Sequence, residues 1–342
     1  ACCLDEPDFR IEPVYGGIKV SWDAVRGAEE YAIYYSTTRR AEDLKLAGTV
    51  KGTSFVHSAP ASGRNNYYAV QAICGDTVST ISQDFIYYIA APDDIKFTNY
   101  KTCVELKWKD VLGADEYDIY RKVYGESKWT KISVEYVKDE NDEIEIIDGY
   151  IAALDKNVVA GKKYVYTIVS GDGEDYSARN ETGWTNRFLK APAIKTVSNY
   201  YGGPKITWGK VSGASKYNIY RKTKKSGDWV LVGSTKSTSF VDKSAKSDKK
   251  YYYAVASADG DSVSAYSSYK TISYLAAPVV KVKNNTSTSI TVSWGKVSGA
   301  QKYYVYRKAG SAKSWTKVKT TTSTSYTDKS VKNGTTYKYT VK

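Results

Sequence analysis

Apolar and polar residues alternate along most of this chain in short runs bounded by Gly, Ser, Asn and Asp, the period of half-buried β-strands rather than of helices. In Ser289–Trp294, Ile290, Val292 and Trp294 fall on one side and Thr291 and Ser293 on the other, and Tyr303, Val305 and Arg307 carry the alternation into the next strand. Helix should be nearly absent. One arrangement, W-x-x-V-x-G-A-x-x-Y-x-(I/V)-Y, recurs four times, starting at Trp22, Trp108, Trp208 and Trp294. The spacings of 86, 100 and 86 residues are those of a small all-β domain. Four tandem β-sandwich modules are therefore predicted, at 1–91, 92–190, 191–276 and 277–342. Their joints fall at Ala90-Ala91-Pro92, Lys190-Ala191-Pro192 and Ala276-Ala277-Pro278, where Pro opens a strand without removing a needed ladder donor. Linkers this short imply a stiff, monomeric rod.

With 342 residues, 42% hydrophobic and 25% charged, the chain can bury cores. No run approaches the roughly 18 to 20 apolar residues that span a bilayer, and the first residues lack a basic and apolar secretory pattern. Methionine is absent and there are 33 Tyr, which suggests an excerpt of a processed or larger polypeptide. The net charge of +13 is unevenly divided. Residues 1–91 carry 8 Lys/Arg against 11 Asp/Glu and 92–190 carry 15 against 20, whereas 191–276 carry 14 against 5 and 277–342 carry 13 against 1.

These residues resemble the fibronectin type III-like modules of Gram-positive bacterial surface and secreted proteins, over nearly the whole chain. The family places a Trp on its second strand and a Tyr on its third, matching Trp22, Trp108, Trp208 and Trp294 and then Tyr31, Tyr117, Tyr217 and Tyr303. A further Trp on the fourth strand matches Trp129, Trp229 and Trp315, where the first module has Leu44 and Leu46. The family's corner tyrosine matches Tyr164, Tyr251 and Tyr337, whose hydroxyl is expected to bond back to the preceding corner; Asn66 falls at this place in the first module. The second module is longer by about fourteen residues, accounted for by Glu135–Asn157 with its acidic run Asp139–Glu143. The fourth ends at Lys342 within strand six, read as the boundary of an excerpt, with strand donation by another chain as the alternative.

The resemblance implies an oxidising, extracellular setting, in which cysteines pair. Cys2 and Cys3 precede the first strand and Cys74 ends the sixth at the same pole, so one of the pair is expected to bridge to Cys74, with Cys3–Cys74 as the candidate disulfide. Cys103 is left free or paired with the remaining cysteine.

Little in the chain suggests catalysis. The single histidine, His57, occupies the place of Asp148, Asp242 and Asp328 in the other modules and reads as a corner residue. No zinc spacing, Gly-rich phosphate loop or catalytic serine motif is present, so neither catalytic, metal nor cofactor residues are assigned. Asp139, Asn141 and Glu143 faintly resemble a calcium loop but lack its glycine, and a solvated acidic hairpin is the reading preferred.

Two sets of binding candidates remain. Tyr34, Tyr120, Tyr220 and Tyr306 recur with the repeat and read as structural, leaving the non-repeating Tyr124, Tyr136, Tyr150, Trp184, Tyr200 and Tyr201 as a candidate glycan platform. Lys222, Lys224, Lys225, Lys249 and Lys250, with Lys317 and Lys319, are candidates for an anionic glycan, a cell-wall polymer or an acidic protein face. No nucleic-acid partner is expected. The first functional reading is a non-catalytic spacer and interaction region of a bacterial surface protein. The alternatives are a glycan-binding adhesin and the accessory region of a secreted glycosidase or wall hydrolase.

Overall fold

The computed structural model describes residues 3–342, whose regular elements are antiparallel β-strands and one 3-10 turn at Ala41–Asp43. Strands Gly17–Trp22, Val104–Lys109, Gly203–Trp208 and Ser289–Trp294 carry the repeat tryptophans. Each pairs with the strand before it and with a later one: Phe9–Val14 and Ser54–His57 flank the first, Ile194–Tyr200 and Ser239–Val241 the third. The repeat tyrosines lie on Glu30–Ser36, Glu116–Val123, Lys216–Lys222 and Tyr303–Ala309, in a second sheet beside the long strands Arg64–Cys74, Lys163–Gly171, Lys249–Asp259 and the shorter Tyr337–Val341. Among the described residues the eight sheets enclose four apolar clusters, each built on one repeat Trp. The chain divides into two units between Phe188 and Leu189, the first holding the Trp22 and Trp108 clusters and the second the Trp208 and Trp294 clusters.

The recurring motif is one local device. Tyr31, Tyr117, Tyr217 and Tyr303 pack on their tryptophans at ring-centroid distances of 5.2, 5.4, 5.4 and 5.4 Å. Their hydroxyls accept the N–H of Val25, Val111, Val211 and Val297 at 2.7, 2.8, 2.9 and 2.9 Å. Between Val and Tyr the chain turns, with Ala28 N–H donating to Val25 O at 3.1 Å and Gly27 at φ +88°, the position where a type II turn needs glycine. The indole Nε1 of all four tryptophans is buried without an acceptor, so the site selects ring volume rather than a hydrogen bond.

Within each unit, consecutive sandwiches are joined in the same way. Ser62 Oγ accepts Ala90 N–H at 3.0 Å and donates to Leu112 O at 2.7 Å; Ser247 Oγ accepts Ala276 N–H at 3.0 Å and donates to Ser298 O at 2.9 Å. The motif glycine of the following sandwich sits against this corner: a Cβ on Gly113 would lie 2.3 Å from Gly63 Cα. Ala276 packs against both clusters of its unit.

The expected Cys3–Cys74 disulfide is not formed. Leu4 turns inward and is buried in the first cluster, which leaves Cys3 an exposed free thiol, while Cys74 packs against that cluster. Cys103 is a buried free thiol; the pairing of Cys2 lies outside the described residues. The insert of the second sandwich places Glu135–Tyr136 beside Tyr150–Asp155 as a fourth strand of its sheet. Its tip is held by Asp139 Oδ1, which accepts the N–H groups of Asn141 and Glu143, and these bonds hold the Asp139 carboxyl below the usual range. The Trp294 sandwich has, among the described residues, no counterpart of the last strands Asp84–Tyr88, Trp184–Arg187 and Lys270–Tyr274.

Trp208→Ala should destabilise its unit by about 3–5 kcal/mol, as large aromatic deletions from cores do. Trp208→Phe, which keeps a ring and removes the unpaired N–H, should cost clearly less in urea denaturation; equal losses for the two variants would contradict the volume argument.

Candidate functional site

The corner at which His57 was placed is a buried polar network. In three sandwiches an arginine of the Tyr strand reaches a carboxylate: Arg121 to Asp155 at 2.5 Å, Arg221 to Asp242 at 2.6 Å and Arg307 to Asp328 at 2.8 Å. Tyr166, Tyr253 and Tyr339 donate to the same carboxylates at 2.9, 2.7 and 3.0 Å. Each guanidinium also lies over the corner tyrosine, Tyr164, Tyr251 or Tyr337, at 4.7, 4.9 and 5.1 Å. Those tyrosines' hydroxyls accept the N–H of Val159, Lys246 and Lys332 at 3.0, 2.9 and 3.0 Å, the expected corner bond. Burial pushes Asp242 and Asp328 upward, but their serine, tyrosine and arginine partners outweigh it and hold both below the ordinary carboxylate range. Burial, with the adjacent carboxylate, pushes the Tyr253 and Tyr339 hydroxyls well above the usual tyrosine range.

The equivalent residue in the second sandwich is Asp155, not Asp148. The insert lies ahead of it, and Asp148 is a turn residue at φ +53°. The first sandwich fills the same corner differently. Tyr35 replaces the arginine, its ring 4.3 Å from His57; His57 Nδ1 shares a hydrogen bond with Tyr68 OH at 2.8 Å. Asn66 takes over the corner tyrosine's bond, with Oδ1 accepting Ala61 N–H at 3.0 Å. Burial lowers the His57 pKa.

The six aromatics proposed as a platform do not gather. Tyr136 is half-buried, its hydroxyl donating to Tyr117 O at 2.8 Å, and burial pushes its pKa up to about 12. Trp184 packs against the same core and lies edge-on to Tyr15 at 6.3 Å. Tyr150 is flanked by Lys96 and Lys107, and Tyr124 lies under Lys163 at 4.1 Å. Tyr200 ends the strand Ile194–Tyr200, with Lys205 4.9 Å from its ring, and Tyr201 follows in the hairpin; both are exposed. Of the lysines, Lys317 lies over Tyr304 at 5.1 Å and Lys319 is on the neighbouring stretch of strand Thr316–Thr321. Lys224 and Lys225 occupy the hairpin after Lys216–Lys222, while Lys249 and Lys250 open the adjoining strand Lys249–Asp259.

A different surface is assembled on the Trp208 sandwich. Because Tyr251, Tyr253 and Val255 face the core, Lys250, Tyr252, Ala254 and Ala256 face outward, and Tyr220 pairs across from Ala254. The two small alanines are fully buried. Tyr220 contacts Tyr266 at 4.8 Å, Tyr266 contacts Trp229 at 5.8 Å, Trp229 reaches Tyr269 at 6.5 Å and Tyr269 meets Tyr252 at 5.4 Å. Lys222 lies 4.5 Å from the Trp229 ring and Lys250 5.6 Å from Tyr252. The Lys–Trp pair recurs in register as Lys122–Trp129 and Lys308–Trp315, at 4.3 and 5.5 Å. In the second sandwich, however, Arg179 stands where Tyr266 does, pairs with Glu181 at 2.6 Å and covers Tyr120 and Trp129, while Trp129 Nε1 donates to Glu181 at 2.9 Å. The basic face thus has aromatic rings where the acidic half has a closed ion pair. Reading repeat position alone hid Tyr220 and Trp229; the signal available was the local pair Tyr266 and Tyr269.

The sheet pairings and the corner tyrosines make the fold fibronectin type III-like. Exoglucanase B of Cellulomonas fimi is 28% identical over 204 residues, 52% of this chain and 17% of that protein. Amylopullulanase of Thermoanaerobacterium saccharolyticum is 28% identical over 120 residues, 35% of this chain and 9% of that protein. The chain therefore spans less than a fifth of the length of these relatives. Among solved structures, the three domains FN1–FN3 of chicken CNTN1 align at 15% identity, covering 79% of this chain and 99% of that one with a TM-score of 0.30. A two-domain fibronectin type III segment of chicken tenascin aligns at 16%, covering 52% and 97% with a TM-score of 0.27. No protein-family model matches the chain.

The two corner chemistries predict different acid responses. A histidine whose folded pKa is lowered supports the fold above its unfolded pKa of about 6.5 and loses that support as pH falls through and below it. A carboxylate whose folded pKa is lowered keeps its support down to about pH 4 and loses it below. Hydrogen exchange at the Tyr68 amide should therefore accelerate, relative to intrinsic rates, between about pH 6.5 and 5. Exchange at Tyr253 should hold until the carboxylate range; parallel profiles would contradict the assignment.

Proposed function

We propose that the chain is a non-catalytic extracellular region of a bacterial surface or secreted protein, with tandem modules at 1–91, 92–190, 191–276 and 277–342 that present a docking face and, within each unit, set a fixed spacing. The observation that carries this reading is the repeated joint. Ser62 and Ser247 each take one N–H from the chain leaving their own sandwich and give their hydroxyl to the next sandwich's motif turn. A serine bonded to both sides, with a glycine packed against the corner, resists reorientation in a way that a solvated linker does not. The motif turn thereby serves twice, inside its own sandwich and as the seat for its neighbour. A second reading, the accessory region of a secreted glycosidase, is favoured by the two relatives named as an exoglucanase and an amylopullulanase, each matched over a minor part of its length. Both readings make this segment a carrier for chemistry done elsewhere, and both fit an extracellular monomer.

Fixed spacing can be measured directly. Nitroxide labels at the exposed positions Lys51 and Lys128, on either side of the first joint, should give one narrow distance distribution by pulsed electron resonance. Ser62→Ala should broaden it, since it removes two hydrogen bonds of about 1 kcal/mol each. A broad distribution in the unaltered protein would refute the spacing role.

A further inference from the structure

We propose that the outward sheet face of the Trp208 sandwich, running from Tyr220 through Trp229 and Tyr269 to Tyr252, binds an acidic polysaccharide, a chain of sugar rings carrying carboxylates. The face combines the two elements such a ligand needs. Its rings lie across three adjoining strand positions, roughly 10 Å in all, which accommodates more than one sugar. Tyr266 and Tyr269 are 44% and 42% exposed, so the cluster is presented to solvent rather than consumed by the core, and the apolar C–H faces of pyranose rings can lie on it. Leu231, opposite Tyr220 on the next strand and 53% exposed, extends the apolar ground.

Lys222 lies over the Trp229 ring and pairs across from Tyr252, whose ring Lys250 borders, so both cations flank the Trp229–Tyr252 side of this run. Neither enters an ion pair among the described residues, whereas the corresponding face of the second sandwich is closed by Arg179 and Glu181. Residues 191–276 carry 14 Lys/Arg against 5 Asp/Glu, so the surrounding field favours an anion. The charge alone would suit a polyphosphate equally well. The rings decide for the sugar, since a phosphate chain offers them no apolar face, and the lysines decide for an acidic one. This inference stands apart from the spacing role, because a chain whose joints are loose still has this face.

The test is calorimetric titration of the full chain with polygalacturonate, with inorganic polyphosphate and with a neutral glucan. Polygalacturonate should bind, more weakly as salt rises. Tyr269→Ala, which alters an exposed ring, should weaken it about tenfold, the scale of one aromatic contact. Lys222→Gln/Lys250→Gln should weaken it similarly and flatten its salt dependence. No binding of polygalacturonate would overturn the proposal. So would polyphosphate binding as tightly with Tyr269→Ala silent, which would mean charge alone, or the neutral glucan binding as tightly, which would mean that the carboxylates are not read. The Lys51–Lys128 distance should not change in either variant, which separates a failure of this face from a failure of the joints.

Discussion

The bond from the repeat tyrosine hydroxyl to a backbone N–H on the far side of the Trp–Tyr turn is the constraint on which each sandwich depends. The tryptophan belongs to one sheet and the tyrosine to the other, so the ring contact at 5.2–5.4 Å spans the core. The hydroxyl then closes the connection between them by satisfying the N–H of the valine in that turn. A buried N–H left open would cost a few kcal/mol at most sites, and here the same side chain that fills the core removes that cost. Four letters of the motif follow: Trp for volume, Val for the N–H and an apolar seat, Gly for positive φ, Tyr for ring and oxygen together. Because the turn is also the seat of the joint, the constraint extends from one core to the placement of the next.

The polar corner is a second, separable solution. Buried ion pairs gain little net stability, because desolvation offsets their attraction, but breaking one leaves a stranded charge. Asp242 avoids this by accepting from Arg221, Tyr253 and Ser244 at once. The first sandwich reaches a satisfied corner without any charge, through His57, Tyr68, Tyr35 and Asn66. What the fold demands of this corner is therefore a filled set of donors and acceptors. The identity of the side chains is free to vary, and with it the response to acid.

The strands, the repeat and the corner tyrosines are legible because each leaves a periodic trace in one dimension. The errors came where position along the chain and position in space part company. Counting from the repeat stops short of Asp155, at Asp148, because the insert intervenes between the Tyr strand and that corner. Cys3 and Cys74 were paired by pole alone, yet the neighbouring Leu4 takes the inward place and turns Cys3 out. Tyr136 does not recur and so reads as surface, whereas the strand it ends is folded onto the core of its own sandwich. Tyr220 recurs and so reads as structural, and the alternation that buries Tyr217 and Ile219 places it outward. Recurrence reports a shared backbone position; it does not report which side of the sheet that position faces.

That distinction also explains how four similar cores can carry such different charge. The positions that recur inward are fixed by packing, and changing them costs core stability. The outward positions of the same strands are fixed only where something covers them. In the second sandwich Arg179 and Glu181 cover Tyr120 and Trp129 with a neutralised pair, and the first half as a whole is acidic. In the third, a tyrosine in place of Arg179 removes both the cation and the need for its acid, so Lys222 and Lys250 are left as the charges bordering an aromatic surface. Replacing the covering residues thus converts a self-neutralised face into one whose charge and apolar area both remain open, while the core pattern beneath it is kept.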